Sequence, residues 1–326
     1  MNTIRALMKS LPKLLPALLV AGGLVAGMDS ALAAPKKKAV ISKKASKPVA
    51  RSVKKAESAS PALSVAEEVP DGSAPKLASS AVAIIDQATG DVLYEKNAGA
   101  VLPIASITKL MTAMVALDVQ PSLSETLTVS EADVDMLKGT HSRLAVGTRL
   151  SREEMLRLAL MSSENRAASA LSRHYPGGRE AFVAAMNAKA HELGLTETRF
   201  ADPTGLTPEN VSSARDLARL VDAAHQYPLI REFSTSEQYQ VAVKGRPQTF
   251  RNTNALVKND KWTIGLSKTG YISEAGKCLV MQAWFDNKPT IIVLLDSWGK
   301  LTRIGDAQRI KRWLESVAGN PGAFRS

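Results

Sequence analysis

The sequence predicts an α+β fold, with one antiparallel sheet built from both ends of a domain and a helical subdomain inserted between them. Three observations lead there. Residues 81–86 (AVAIID) and 92–96 are apolar β-type runs on either side of the turn Ala88-Thr89-Gly90-Asp91. Near the other end, residues 277–286 and 290–296 form a second strand pair across Asn287-Lys288-Pro289. Helical spacing dominates what lies between, so strands at both ends must meet to form one sheet with the helices on one side.

The helical elements follow in order. Residues 106–118 carry Leu110, Met111, Met114, Val115 and Leu117 on one helical stripe. Residues 151–161 open with the capping box Ser151-Arg152-Glu153-Glu154. Residues 165–174 are rich in Ala, and 178–193 stop at Gly194, which suits a helix end. Residues 213–225 begin with a Ser213…Asp216 cap. Residues 262–267 are β-like, and 303–317 return to helical spacing through Ile304, Ala307, Ile310, Trp313, Leu314 and Val317.

Ahead of this domain, Arg5, Lys9 and Lys13 precede an uncharged run over 14–28, and Ala31-Leu32-Ala33 supplies a small-x-small cleavage site. Residues 1–33 are therefore expected to be an export signal. The apolar run is interrupted by Pro16, Gly22, Gly23 and Gly27 and falls short of the ~20 residues that a spanning helix needs. Residues 34–76, rich in Lys, Ala, Ser and Pro without aromatics, have no apolar face to offset ordering and are expected to be a basic disordered linker. The folded domain is then expected over 77–320, with a tail over 321–326. The net charge of +11 resides in the first 55 residues, since residues 56–326 are neutral. A uniform nucleic-acid-binding face on the domain is not supported on that count. Cys278 is the only cysteine, so no intramolecular disulfide can form. His141, His174, His191 and His225 are scattered without metal-ligand pairing, so neither metal nor cofactor is expected.

Three short motifs carry chemistry. In Ser106-Ile107-Thr108-Lys109, at the head of an apolar helix, spacing of three puts a hydroxyl and an amine on one face. A serine needs such a base, and the helix N-terminus offers free N–H groups to an oxyanion. The same spacing at Ser10, Ser52, Ser73 and Ser297 lacks that setting. Ser163-Glu164-Asn165, the only Ser-x-Asn, falls between two helices, where by itself it suits a helix cap before a proton relay. Lys268-Thr269-Gly270, also unique, ends a β-like stretch against whose edge an extended peptide can pair. The Lys268 cation disfavours protonation of a neighbouring lysine.

In this order the three motifs resemble the active-site set of penicillin-binding proteins and serine β-lactamases. The text AVAIIDQATGDVLYEKNAGAVLPIASITKLMTA from Ala81 and FADPTGL from Phe200 are similar to the low-molecular-mass D-alanyl-D-alanine peptidases. The resemblance implies the transpeptidase fold, a Ser106 nucleophile, Lys109 as its base, Ser163 as proton shuttle and Asn165 as orienting amide. It further implies that Lys268, Thr269 and Gly270 bind the peptide, with an oxyanion hole from the N–H groups of Ser106 and Tyr271. Peptidoglycan stem peptides and cross-links are the implied substrates, β-lactam antibiotics the covalent inhibitors, and the periplasm the implied location of a secreted enzyme. Only 56 residues follow Gly270, which leaves no room for the added β-domain and membrane-binding helix of the family's carboxypeptidases. The endopeptidase branch is expected on that ground, with carboxypeptidase as the alternative. A β-lactamase of the nearest layout needs Glu-x-x-Leu-Asn between Ser163 and Lys268, and the stretch has none. A non-catalytic receptor would need a transmembrane signalling partner in the same chain, and a structural wall-binding module would not need an intact catalytic set.

Overall fold

The structure is a computed structural model that describes residues 74–299 and 301–318. The expected signal at 1–33, nearly all of the expected linker and the tail lie outside the described residues. Strands β1 (Ala81–Asp86) and β2 (Val92–Lys96) form the first hairpin, closed by Gly90 at φ +79° and by the Asp86 carboxylate accepting from the Ala88 N–H. A short strand β3 (Leu102–Pro103) leads through a 3-10 turn, Ala105–Thr108, into helix α1 (Lys109–Asp118). Strands β4 (Thr126–Thr128) and β5 (Arg149–Ser151) pair ahead of α2 (Arg152–Met161), whose Ser151–Glu154 capping box is present as expected. Helices α3 (Asn165–Arg173) and α4 (Gly178–Glu192) follow, and then β6 (Val211–Ser212), which pairs with β3. Helix α5 (Ala214–His225) is capped by Ser213 through the Asp216 N–H. Helix α6 (Pro228–Thr235) and the hairpin β7 (Gln238–Val243) to β8 (Arg246–Arg251) precede β9 (Thr263–Ile272), β10 (Gly276–Phe285), β11 (Lys288–Ser297) and α7 (Thr302–Ala318).

The main sheet has the order β2-β1-β11-β10-β9, antiparallel throughout, so the two ends of the domain do close it. Its faces divide strictly by alternation. Ala81, Ala83, Val280, Val293 and Leu295 point into the core shared with α1 and α5, while Val82, Ile84, Leu279, Met281, Ile292 and Leu294 point to Ala307, Ile310, Trp313 and Leu314 of α7. Helices thus cover both faces, where the sequence led us to expect them on one. The reason is in the strands: β1, β10 and β11 are apolar at consecutive positions, and a sheet with two apolar faces must bury both. Each large side chain fully buried this way contributes about 1.5–3 kcal/mol.

The helix expected from residue 106 starts at Lys109, after the 3-10 turn, and three further features differ from expectation. The β10–β11 turn is the pair Asp286-Asn287, with φ of +48° and +63°, as a two-residue hairpin demands, and Lys288 and Pro289 already belong to β11. Lys268-Thr269-Gly270 lies inside β9 rather than at its end, because the strand runs on through Ile272. Helix α6 and the β7–β8 hairpin were not anticipated, since their mostly exposed strands give no strong alternation.

Candidate active site

Ser106 sits in the 3-10 turn before α1, in a backbone under strain. Ala105 holds φ +48°, a region that a residue with a Cβ avoids unless its surroundings impose it. Two glycines impose it from either side. Gly205, at φ +79°, lies so close that a Cβ there would collide with the Ala105 carbonyl. A Cβ on Gly270 of β9 would come within 2.9 Å of the Ile104 oxygen and 3.1 Å of the Ser106 nitrogen. The nucleophile turn is therefore pinned between two backbones, and the edge strand β9 passes directly against the Ser106 N–H.

Lys109, the first residue of α1, is fully buried, and its Nζ reaches three acceptors: Ser106 Oγ at 2.8 Å, Asn165 Oδ1 at 2.7 Å and the Thr204 carbonyl at 2.7 Å. An ammonium donates to all three. A neutral amine keeps two N–H donors for Asn165 and Thr204 and turns its lone pair to the Ser106 hydroxyl. Burial drives the Lys109 pKa down to about 7, against the opposing pull of the Asp202 and Glu164 carboxylates. Neutral lysine is thus accessible near neutral pH.

The partners of Lys109 are themselves held. Asn165, at the start of α3, donates its amide to Thr140 Oγ1 at 3.1 Å, and Thr140 donates in turn to Asp135 at 2.7 Å. The Thr204 carbonyl is aimed by a turn in which Asp202 accepts from the Thr204 N–H at 2.9 Å and the Gly205 N–H at 2.6 Å. Buried Asn210 ties that turn to the nucleophile's, donating to Thr108 Oγ1 at 3.0 Å and to the Asp202 carbonyl at 2.9 Å. Glu164 is buried beneath the site, accepts from Ser142 Oγ at 2.6 Å, and has its pKa raised, with burial as the leading cause.

A second network stands beside the first. Ser163, in the break between α2 and α3 at φ +61°, accepts from Lys268 Nζ at 2.9 Å. Lys268 also donates to the Thr269 carbonyl at 3.0 Å, and Thr269 Oγ1 donates to Thr253 Oγ1 at 2.6 Å. Burial, then the charges of Lys109 and Arg303, push the Lys268 pKa well below that of a free lysine. The sequence reading made Lys268 the cause of a depressed Lys109. In the structure burial is the leading cause at Lys109, and the repulsion between the lysines falls on Lys268. Arg303 of α7 crosses under β9 and donates to the carbonyls of Gly270 and Cys278, both at 3.0 Å.

The structure therefore joins Ser106, Lys109 and Asn165 in one bonded network and Ser163 with Lys268 in another, with Thr269, Gly270 and Tyr271 on the edge strand alongside. Sequence reasoning gave no role to Thr140, Glu164, Asp202, Thr204 or Arg303. For Asp202 and Thr204 the signal was present, since Asp202-Pro203-Thr204-Gly205 is a turn sequence. Arg303 carried none, because its helix is far from the motifs in the chain.

A serine hydroxyl bonded to a buried, near-neutral lysine, beside an edge strand on an α+β scaffold, defines a serine–lysine hydrolase. Comparison with known proteins narrows the class. The peptidase S11 family, described as D-alanyl-D-alanine carboxypeptidase, matches residues 68–299, and the chain belongs to it. It is 50% identical over 276 residues to the D-alanyl-D-alanine endopeptidase of Pseudomonas aeruginosa, covering 81% of this chain and 89% of that one. To the D-alanyl-D-alanine endopeptidase of Escherichia coli it is 49% identical over 246 residues, covering 75% and 79%. Among solved structures, the Streptomyces K15 DD-transpeptidase superimposes with a TM-score of 0.70 at 28% identity, over 76% of this chain and 99% of that one.

Proposed function

We propose that this chain hydrolyses D-alanyl peptide bonds of peptidoglycan through an acyl ester on Ser106, acting chiefly on cross-links. The observation that carries the reading is the 2.8 Å contact between the buried Lys109 amine and Ser106 Oγ. Neutral Lys109 takes the Ser106 proton as Oγ attacks the carbonyl carbon of a D-alanyl residue. The carbonyl oxygen becomes an oxyanion held by the N–H groups of Ser106 and Tyr271. Ser163, bonded to Lys268, passes a proton to the departing amine as the C–N bond breaks and is restored by the proton that Lys109 took, which leaves the lysine neutral again. Asn165 fixes Lys109, while Lys268, Thr269 and Gly270 hold the peptide along β9. Water then attacks the ester, returning the proton to Ser106. β-Lactams acylate the same hydroxyl and remain attached. The export signal read from the sequence supports a periplasmic site of action, and no helix among the described residues is long and apolar enough to cross a membrane.

The Lys109 pKa of about 7 has a kinetic consequence. Only the neutral amine can accept the proton, so the acylation rate falls as pH drops through the Lys109 pKa and levels off above it. Second-order acylation by a β-lactam, measured against pH, is expected to lose about tenfold per pH unit on the acid side. A profile flat from about pH 5 to 9 would remove Lys109 as the base.

Preference for cross-links is supported by the relatives: those at 50% and 49% identity are named endopeptidases, while a Bacillus subtilis carboxypeptidase is 37% identical. Purified cross-linked dimers are expected to be cleaved to monomers faster than monomeric pentapeptides release D-alanine. The opposite ranking overturns the endopeptidase assignment and leaves the acyl-enzyme mechanism standing.

A further inference from the structure

Five of the nine large apolar side chains that are exposed among the described residues gather beside the active-site strand. Met136, Leu137, Tyr271, Trp298 and Leu301 are each between 61 and 88% exposed. Tyr271 of β9, Lys277 of β10 and Ser297 of β11 stand in register, which places the outer two about 10 Å apart. Trp298 follows Ser297. Leu301 immediately precedes α7, whose Arg303 reaches back to the Gly270 carbonyl. Met136 and Leu137 arrive from the opposite wall, where the loop that holds Asn165 through Thr140 is tied across by an ion pair between Lys138 and Glu274 of the β9–β10 turn. Single exposed apolar residues are ordinary, but a contiguous group marks a surface that binds something.

We propose that this patch is a carbohydrate subsite that seats the glycan strand from which the substrate peptide hangs. The inference rests on the peptidoglycan reading above. The patch adjoins the cleft along β9, since Tyr271 is the next residue after Gly270 and turns its side chain to the strand's other face, beside Lys277, so a chain joined to the bound peptide passes over it. Indole and phenol rings present flat apolar faces with polar tips, which suit the alternation of C–H faces and hydroxyl or acetamido groups on a sugar. The Lys277 ammonium lies 4.5 Å from the Tyr271 ring centroid, bracing that ring and offering a donor beside it. A lipid bilayer is the poorer occupant. It would press the mouth of the cleft against lipid, and an interfacial binder presents a helix with a broad apolar face, whereas these side chains come from two strand ends and two loops.

The test uses the full chain and variants Trp298→Ala and Leu301→Ala, neither of which touches the catalytic network. Binding of a short N-acetylglucosamine oligosaccharide free of peptide is followed by tryptophan fluorescence and calorimetry. Digestion of intact sacculi is compared with cleavage of soluble disaccharide-free cross-linked peptides and with β-lactam acylation. The expected result is saturable oligosaccharide binding that Trp298→Ala weakens about tenfold, a similar drop in sacculus digestion, and unchanged acylation and peptide cleavage. Equal sacculus digestion and equal oligosaccharide binding in variant and parent overturn the proposal, as does binding of anionic vesicles in place of the sugar. Failure of the peptidoglycan reading appears separately, as no cleavage of soluble cross-linked peptides by the parent enzyme.

Discussion

A Ser106→Ala variant is expected to lose covalent labelling by a fluorescent penicillin completely and all but a trace of peptide hydrolysis, while melting cooperatively at close to the parent temperature. Removing Oγ takes away the only atom in the site that Lys109 can deprotonate toward an ester. The fold has little reason to change. Ser106 lends no side-chain bond to the turn other than its contact with Lys109, and that amine retains Asn165 and Thr204. Whatever slow hydrolysis survives comes from the oxyanion donors alone and leaves no adduct. Intact-mass analysis decides the matter, because an adduct on the variant, or one mapped to Ser163 in the parent, assigns the nucleophile elsewhere.

Lys109→Ala is expected to slow β-lactam acylation by roughly 10²- to 10⁴-fold, since an unassisted hydroxyl is a poor nucleophile at neutral pH. The comparison that gives this number meaning is Lys268→Ala. Lys268 bonds Ser163 and its own strand rather than Ser106, so its loss should weaken capture of substrate along with turnover and should leave the acid limb of the pH profile in place. Stopped-flow acylation of both variants separates the roles. If Lys109→Ala acylates at close to the parent rate while Lys268→Ala does not, the base is reached through Ser163.

Much of this was readable from residues alone, and the parts that were not share a cause. The β1–β2 hairpin and the caps at Ser151 and Ser213 were legible because each is a local pattern whose physics is complete within a few residues. The Ser106–Lys109 pair was legible for the same reason, as spacing of three fixes the contact within one turn. The Thr204 carbonyl on Lys109 and the Arg303 contact with Gly270 were not, because a backbone acceptor has no residue type to betray it and a helix at the far end of the chain has no spacing that relates it to β9. The second face of the sheet was readable in principle from the consecutive apolar residues of β10 and β11, which alternation alone would not produce. The origin of the depressed Lys109 pKa lay beyond reach, since it depends on how deeply the side chain is buried.

The turn that carries Ser106 is held in shape by Gly205 from the middle of the domain and Gly270 from near its end. Neither clamp is local, and β9 takes its place in the sheet through β10 and β11 against β1. The serine thus becomes reactive at the end of folding. Loop closure across most of the domain must precede it, which is the slow part of assembling a sheet from distant segments. A nascent or partly threaded chain holds the same Ser-x-x-Lys text with no buried lysine and no strand against the nucleophile. Such a chain is chemically silent toward peptides and antibiotics alike, so a wall-cutting activity built this way needs no pro-segment to keep it inert before the polypeptide is whole.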